Sequence, residues 1–362
     1  MQIMNGKTVV VGMSGGVDSS VAAALLQKQG YEVIGVMMNL WSEIGREKAN
    51  RCCTPDSMRV AKLVAAKLNI PFYTLDVRKR FYNQIVTYFV SGYQQGLTPN
   101  PCIQCNRHIR WGALLDYALS LEADYLATGH YARKRVDENG VLHLLRAKDH
   151  NKDQSYVLHV HTQSTLSKTL FPLGEFTKQE VRQLAAELHL PVAHRSESQD
   201  LCFLGGENYR SFLTRYLATP PSPGPILDTQ GNYLGEHRGL PFYTLGQRKG
   251  LGIQAGRTLY VVAKDIEKNT LIVGSRDETR KKSFTVRDLN WIATDPALYP
   301  LEVTVKVRYL SPFLSAKIEP VDGEFFRVEL SEPYWDITPG QAAVFYQGDE
   351  CLGGGMIHTI LS

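Results

Sequence analysis

The residues Ser14-Gly15-Gly16-Val17-Asp18-Ser19-Ser20 stand between an apolar run, Thr8 to Met13, and a helix-patterned stretch, Val21 to Gln29. Strand, glycine turn and helix in that order constrain the chain more than any other feature. Two glycines let the backbone turn sharply and bring successive N–H groups toward one point, and the following helix directs its positive end there. The segment therefore reads as a cradle for pyrophosphate. It is not a Walker A loop, because the Gly-Lys-[Ser/Thr] ending is missing, and it lacks the spacing and downstream acid of a dinucleotide fingerprint. The plainer alternative is a tight strand-to-helix turn with Ser19 or Ser20 as a helix cap. Five contiguous matching residues in the right context favour the phosphate reading, in which Asp18 would help to hold a magnesium ion.

The first 130 residues alternate between strand-like and helix-like patterns. Strands are expected at Thr8 to Met13, Glu32 to Met38, Phe72 to Leu75 and Tyr125 to Thr128, each apolar on both faces as in a buried parallel sheet. Helices are expected at Val21 to Gln29, at Pro55 to Leu68 with Thr54 as cap, and from about Lys79 to Gln95. This is a doubly wound parallel α/β sheet, with the glycine loop at its carboxyl edge. Thr177 to Glu180 has the form of a capping box and opens a helix through Leu188. A breaker cluster at Pro220 to Pro225 introduces short strands at Leu259 to Ala263 and Thr270 to Val273. Beyond Lys281 the pattern is all β, with runs at Leu301 to Tyr309, Leu314 to Ile318, Phe325 to Leu330 and Ala342 to Tyr346, which suggests a small barrel. The expected domains are residues 1–207, with a helical excursion near 164–190, then a small mixed middle domain at 208–280, then a C-terminal all-β barrel at 281–362.

At 362 residues two or three domains are expected. No stretch approaches a membrane span and no signal peptide is evident, so a cytoplasmic protein without membrane contact is expected. The net charge of +4 is modest, but residues 281–362 carry 7 Lys+Arg against 11 Asp+Glu, leaving the first 280 with 33 against 25. A polyanion would meet mostly the first two thirds of the chain.

Cysteines occupy positions 52, 53, 102, 105, 202 and 351, too few for a disulfide framework in a chain this long. Cys102 and Cys105 follow the proline-bracketed segment Thr98-Pro99-Asn100-Pro101 and precede a helix expected at Arg107 to Leu121. A helix N-terminus with Arg107 and Arg110 nearby favours a thiolate, so a lowered thiol pKa is expected. Cys202 follows the polar run Ser196 to Asp200, which reads as a mobile loop. Taken alone, Cys-x-x-Cys fits half a zinc site, a redox pair or an iron-sulfur ligand set. Cys52-Cys53 and Cys351 read as packing residues, and Trp41, Trp111, Trp291 and Trp335 as core or domain contacts.

The SGGxDS pattern resembles the PP-loop of ATP pyrophosphatases, and the chain as a whole resembles the bacterial tRNA-specific 2-thiouridylases. The resemblance runs nearly end to end. It includes Gly12 to Ser19, Thr98 to Pro101 with Cys105-Asn106, Ala127-Thr128-Gly129-His130-Tyr131, Asn151 to Tyr156, Cys202-Phe203, Thr244 to Gly252, Thr338 to Gln341 and Cys351 to Gly355. It implies an ATP site at Gly12, Met13, Ser14, Gly15, Gly16, Val17, Asp18, Ser19, Met38 and Gly129. It implies tRNA contacts at His130, Lys152, Asp153, Gln154, Arg308, Tyr309 and Gln341. By the same resemblance Cys202 carries a persulfide from a sulfur-relay donor protein or cysteine desulfurase, and Cys105 is the nucleophile that ends in a disulfide with it. The reaction implied is 2-thiolation of the wobble uridine of Lys, Glu and Gln tRNAs, through an adenylated uridine.

Many relatives have aspartate where this chain has Cys102, so that residue's role does not transfer. Cys102, Cys105 and Cys202 would also suit three-cysteine ligation of an iron-sulfur cluster, whose open iron would bind hydrosulfide. The other readings are a PP-loop ligase acting on a small carboxylate or ureido substrate, which needs neither Cys105 nor Cys202, and a tRNA-binding scaffold with a structural metal.

Overall fold

The computed structural model describes residues 6–43, 45, 54–193, 195, 201–253, 256–293 and 299–361. By its contacts the chain divides into two compact units. One comprises Met1–Ile85, Cys102–Glu207 and Asp349–Leu352, the other Val86–Pro101, Asn208–Gly348 and Gly353–Ser362.

In the first unit β1 (Thr8–Gly12), β2 (Glu32–Asn39), β3 (Phe72–Asp76) and β4 (Tyr125–Ala127) fall on the apolar runs. A hairpin of β5 (Ala132–Val136) and β6 (Leu142–Arg146) follows, then the short β7 (Thr169–Leu170). The sheet is parallel in the order β3-β2-β1-β4-β7, as expected for a doubly wound fold. β1 is central, and Val9, Val10 and Val11 are fully buried. β3 departs from the expectation of two buried faces: as the edge strand it leaves Tyr73 46% exposed.

Helix α1 (Val17–Lys28) starts earlier than the apolar pattern suggests, so Val17, Asp18, Ser19 and Ser20 form its first turn rather than the loop before it. Helix α2 (Pro55–Leu68) has the expected bounds, with Pro55 in the first turn and Thr54 accepting from Ser57 N–H. Helix Lys178–Glu187 carries the expected capping box between Thr177 and Glu180. The cysteine helix also begins earlier than expected: Pro101–Cys105 is α-helical and runs directly into a wider π-helical stretch, Asn106–Leu114. Cys102 and Cys105 thus lie in its first turns.

In the second unit β8 (Gly224–Asp228), β9 (Tyr233–His237), β10 (Tyr260–Asp265) and β11 (Thr270–Gly274) form a mixed four-stranded sheet over a core that includes Ile226, Val261, Leu271 and Val273. The barrel is built from β12 (Lys281–Trp291), β13 (Leu301–Lys306), β14 (Leu314–Asp322), β15 (Phe325–Tyr334), β16 (Ala342–Gln347) and β17 (Glu350–Leu361). β12 pairs antiparallel with both β15 and β17, and that double pairing closes the sheet. Closure removes the exposed edges of an open sheet.

Cys351 is buried in the first unit, paired with Leu144 of β6, as the packing reading requires. Cys52 and Cys53 lie outside the described residues. Trp41, Trp111 and Trp291 pack on Tyr82, Phe171 and Phe345 respectively. Trp335 instead lies half-buried on the wall of a cavity.

Candidate active site

Gly15 has φ +72°, and a Cβ there would lie 2.4 Å from the Ser57 carbonyl oxygen, so both backbone conformation and space demand glycine. Gly16 is the N-cap of α1, and no side chain caps that helix. The plain turn reading, with Ser19 or Ser20 as cap, is therefore not what forms. Both hydroxyls instead donate to the Gly16 carbonyl, at 3.3 and 2.8 Å, while Ser19 Oγ accepts from Ser14 N–H at 3.2 Å. The first N–H groups of α1 are left without a side-chain cap, the arrangement that suits an anion. Gly129, just beyond β4, abuts this turn so closely that a Cβ would fall 2.7 Å from Ser19 N. Gly12 ends β1, Met13 follows it directly and Met38 lies near the end of β2, so these expected nucleotide residues share the carboxyl edge of neighbouring strands. That edge, where the strand order turns from β2 to β4 about β1, is where such sheets bind ligands.

Asp18 is more tightly engaged than the sequence suggests. Lys178 Nζ donates to its two carboxylate oxygens at 2.6 and 2.8 Å, and Tyr131 O–H donates to one of them at 2.8 Å. The lysine ammonium also lies 5.8 Å from the Tyr131 ring centroid. Lys178 opens its helix, so the capping box that fixes the helix start also fixes the lysine.

Cys105 is buried, Cys202 half-buried and Cys102 exposed. The Arg110 guanidinium donates toward Cys105 Sγ at 3.7 Å and to Asn106 Oδ1 at 3.4 Å. Arg110 therefore supplies the positive charge beside Cys105, whereas Arg107 acts electrostatically on His108 and His159. Cys202 opens a short helical turn whose Phe203 is buried against Phe81 at 6.1 Å. It is anchored there, while Ser196 to Asp200, read as a mobile loop, lie outside the described residues. Among the described residues no group of three His, Cys, Asp or Glu could hold a metal ion, so Cys102, Cys105 and Cys202 do not come together as a cluster ligand set.

His130 is buried, and its Nδ1 shares a 2.7 Å hydrogen bond with Thr128 Oγ1. Burial, then the charges of Arg110 and His161, hold it well below the usual imidazole range, so it is neutral. Burial likewise pushes His159 down to about 4 and His161 down to about 3.

Three family models cover most of the chain. The "tRNA methyl transferase HUP domain" matches residues 7–206, the "tRNA methyl transferase PRC-barrel domain" residues 210–275 and the "Aminomethyltransferase beta-barrel domain" residues 281–357. A protein of Moorella thermoacetica named tRNA-specific 2-thiouridylase MnmA is 48% identical over 97% of this chain and 99% of its own length. One of Heliobacterium modesticaldum with the same name is 49% identical over 97% of this chain and 92% of its own. The chain belongs to the tRNA-specific 2-thiouridylase family. Among solved structures, an NMN synthetase from Francisella tularensis overlaps 59% of this chain and 79% of its own at 19% identity and a TM-score of 0.34, a likeness too slight to bear on function.

The remaining residues expected from the 2-thiouridylase resemblance fall in both units. In the first, Asp153 is buried and accepts from the N–H groups of Ala147 and Ser155 and from Ser155 O–H. Gln154 Oε1 accepts from Tyr131 N–H at 3.0 Å, and Gln154 N–H donates to Tyr131 O at 2.9 Å. Gln154 therefore braces Tyr131, which in turn holds Asp18. In the second unit, Gln341 Nε2 donates to Thr98 O at 2.9 Å and Thr98 N–H donates to Pro339 O at 2.9 Å. These bonds hold the segment that leads into Cys102. Arg308 donates to Thr338 Oγ1 at 2.5 Å, and Tyr309 has the Lys306 ammonium 5.8 Å from its ring centroid.

Sequence reasoning missed Lys178 and Tyr131 as neighbours of the phosphate loop. The capping box at Thr177 was visible, but only the tertiary fold shows that its first helical residue meets Asp18.

Proposed function

We propose that this protein is an ATP-dependent tRNA sulfurtransferase that replaces the 2-oxygen of the wobble uridine with sulfur. The observation that carries the proposal is the pairing, in one chain, of an uncapped glycine-turn helix suited to pyrophosphate with a buried thiol faced by an arginine. The family descriptions speak of methyl transfer, but a pyrophosphate cradle together with Cys105 and Cys202 suits adenylation and sulfur transfer.

A uracil 2-carbonyl oxygen is a poor leaving group. Its attack on the α-phosphate of ATP expels pyrophosphate into the loop at Gly12 to Ser19 and leaves AMP on that oxygen. The terminal sulfur of a Cys202 persulfide then attacks C2 and AMP departs. Cys105 thiolate next attacks the inner sulfur: the S–S bond breaks, the transferred sulfur remains on C2, and a Cys105–Cys202 disulfide forms. An external thiol reduces it for the next turnover. Arg110 favours the thiolate of Cys105. Magnesium binds through one or two carboxylates together with substrate phosphates, which Asp18 can satisfy while Lys178 and Tyr131 orient it, and it would supply charge neutralisation there.

A sulfur-relay protein or desulfurase would load Cys202. tRNA would be held by Lys152 and Arg308, Tyr309 and Gln341, with His130, Asp153 and Gln154 shaping the surface behind it. Reaching the wobble base requires turning it out of the anticodon stack. An ATP- and tRNA-dependent reaction run by cysteine thiols suits the reducing cytoplasm, and among the described residues no helix is long and apolar enough to cross a membrane. The reading is tested by AMP and pyrophosphate release: it must depend on added tRNA, and release driven instead by a small carboxylate would point to a ligase.

A further inference from the structure

In the second unit a cavity of about 290 Å3 has Arg248, Tyr260, Arg276, Trp335 and Asp336 in its wall. Trp335 stacks on Tyr334 with ring centroids 4.9 Å apart and planes at 25°, and the Arg276 guanidinium lies 4.2 Å from the Trp335 centroid. The Arg280 guanidinium lies 5.7 Å from the same ring. A guanidinium spread over an indole face keeps its N–H groups in a fixed plane at little entropic cost.

Asp336, the one carboxylate in this wall among the described residues, has Arg308 Nη1 at 3.7 Å. Arg308 also donates to Leu245 O at 3.4 Å, so it ties the segment before Gly246 to the barrel behind the cavity. With Asp336 offset by Arg308, exposed Arg248 and Arg276 leave the cavity positive.

We propose that this cavity docks a phosphodiester of the bound RNA, with Arg248 and Arg276 as planar forks on its oxygens and Trp335 holding Arg276 in position. Arginine forks match phosphate oxygens bidentately. The charge and the cation–π pair are on the surface of the unit that lacks the nucleotide loop, so an RNA backbone rather than ATP is the anion this cavity suits. The inference rests on the tRNA reading above.

The test is binding of an unmodified tRNA transcript across a series of salt concentrations, for wild type and for the Arg248→Ala, Arg276→Ala double variant. Each lost phosphate contact lowers the slope of log K against log salt by about 0.7–0.9, so the double variant, which loses the one phosphodiester held here, is expected to lose about that much together with affinity. ATP binding and melting temperature should stay unchanged, and Arg276→Lys should keep the slope while binding more weakly. A double variant whose slope and affinity match wild type overturns the inference while leaving the sulfurtransferase reading intact. Wild type that binds no tRNA overturns both. Should the double variant fail to fold, the single Arg276→Gln variant decides the same question: it is expected to bind tRNA several-fold more weakly with a shallower salt slope, and wild-type affinity and slope overturn the inference.

Discussion

Lys178 Nζ lies 2.6 and 2.8 Å from the two carboxylate oxygens of Asp18, across 160 residues of sequence. Asp18 sits in the first turn of α1, beside the glycine turn, so an unbalanced carboxylate there would repel phosphate. Lys178 offsets that charge and fixes the side chain.

Replacing Lys178 by methionine keeps the stem and removes the charge. Hydrogen bonds to charged groups contribute about 1.5–3 kcal/mol, so kcat/KM for ATP-dependent AMP release should fall roughly 10- to 100-fold. Retention of wild-type kcat/KM would remove Lys178 from the site.

Gly15 and Gly16 should differ in tolerance. Gly15→Ala forces a side chain into a left-handed conformation, at about 1–2 kcal/mol, and onto the Ser57 carbonyl, so melting should fall by at least about 2–8 °C. Gly16→Ala meets only Ser14 Oγ, at 3.3 Å, and should fold nearly normally. Calorimetry of both variants checks the contrast.

Arg110→Met should slow alkylation of Cys105 several-fold at neutral pH, because the guanidinium that favours the thiolate is gone. Mass spectrometry of the peptide bearing Cys105 separates it from the exposed Cys102. An unchanged rate would mean that Arg110 only packs.

Buried neutral histidines predict acid sensitivity of the first unit. His130, His159 and His161 have folded pKa values below the ordinary value of 6.5, so the unfolded chain binds protons that the folded one does not. Their contribution is present above that value and is lost as pH falls from 6.5 toward 4, by up to about 1.4 kcal/mol per pH unit for each. His143 opposes this: burial lowers its pKa, but bonds to Glu350 and Asp137 raise it overall, so its contribution is present below 6.5 and lost as pH rises through its folded pKa. Melting of the unit should therefore drop between pH 6.5 and 5, and a flat profile would contradict the neutral assignment.

The parallel sheet was legible because continuous apolar runs and proline, threonine and glycine punctuation each report on local structure. α2 and the capping box at Thr177 were readable to the residue for that reason. The starts of α1 and of the cysteine helix were misplaced, because Val17 to Ser20 and Cys102 to Cys105 break the apolar period while their backbones still turn helically. β12 and most of β17 escaped notice because barrel closure is a pairing between distant strands. The phosphate loop was visible as a motif. Lys178 on Asp18, Gln154 on Tyr131 and the Arg276–Trp335 pair were not, since each joins residues that only tertiary folding brings together.

Nucleoside mass spectrometry of unmodified glutamate or lysine tRNA, after anaerobic incubation with the protein, magnesium-ATP and a persulfide donor, decides whether the protein thiolates the wobble uridine. Wild type should form 2-thiouridine only with ATP, and Cys105→Ala and Cys202→Ala should form none. ATP-dependent 2-thiouridine from both alanine variants, or none from wild type with either persulfide or sulfide, would contradict the account.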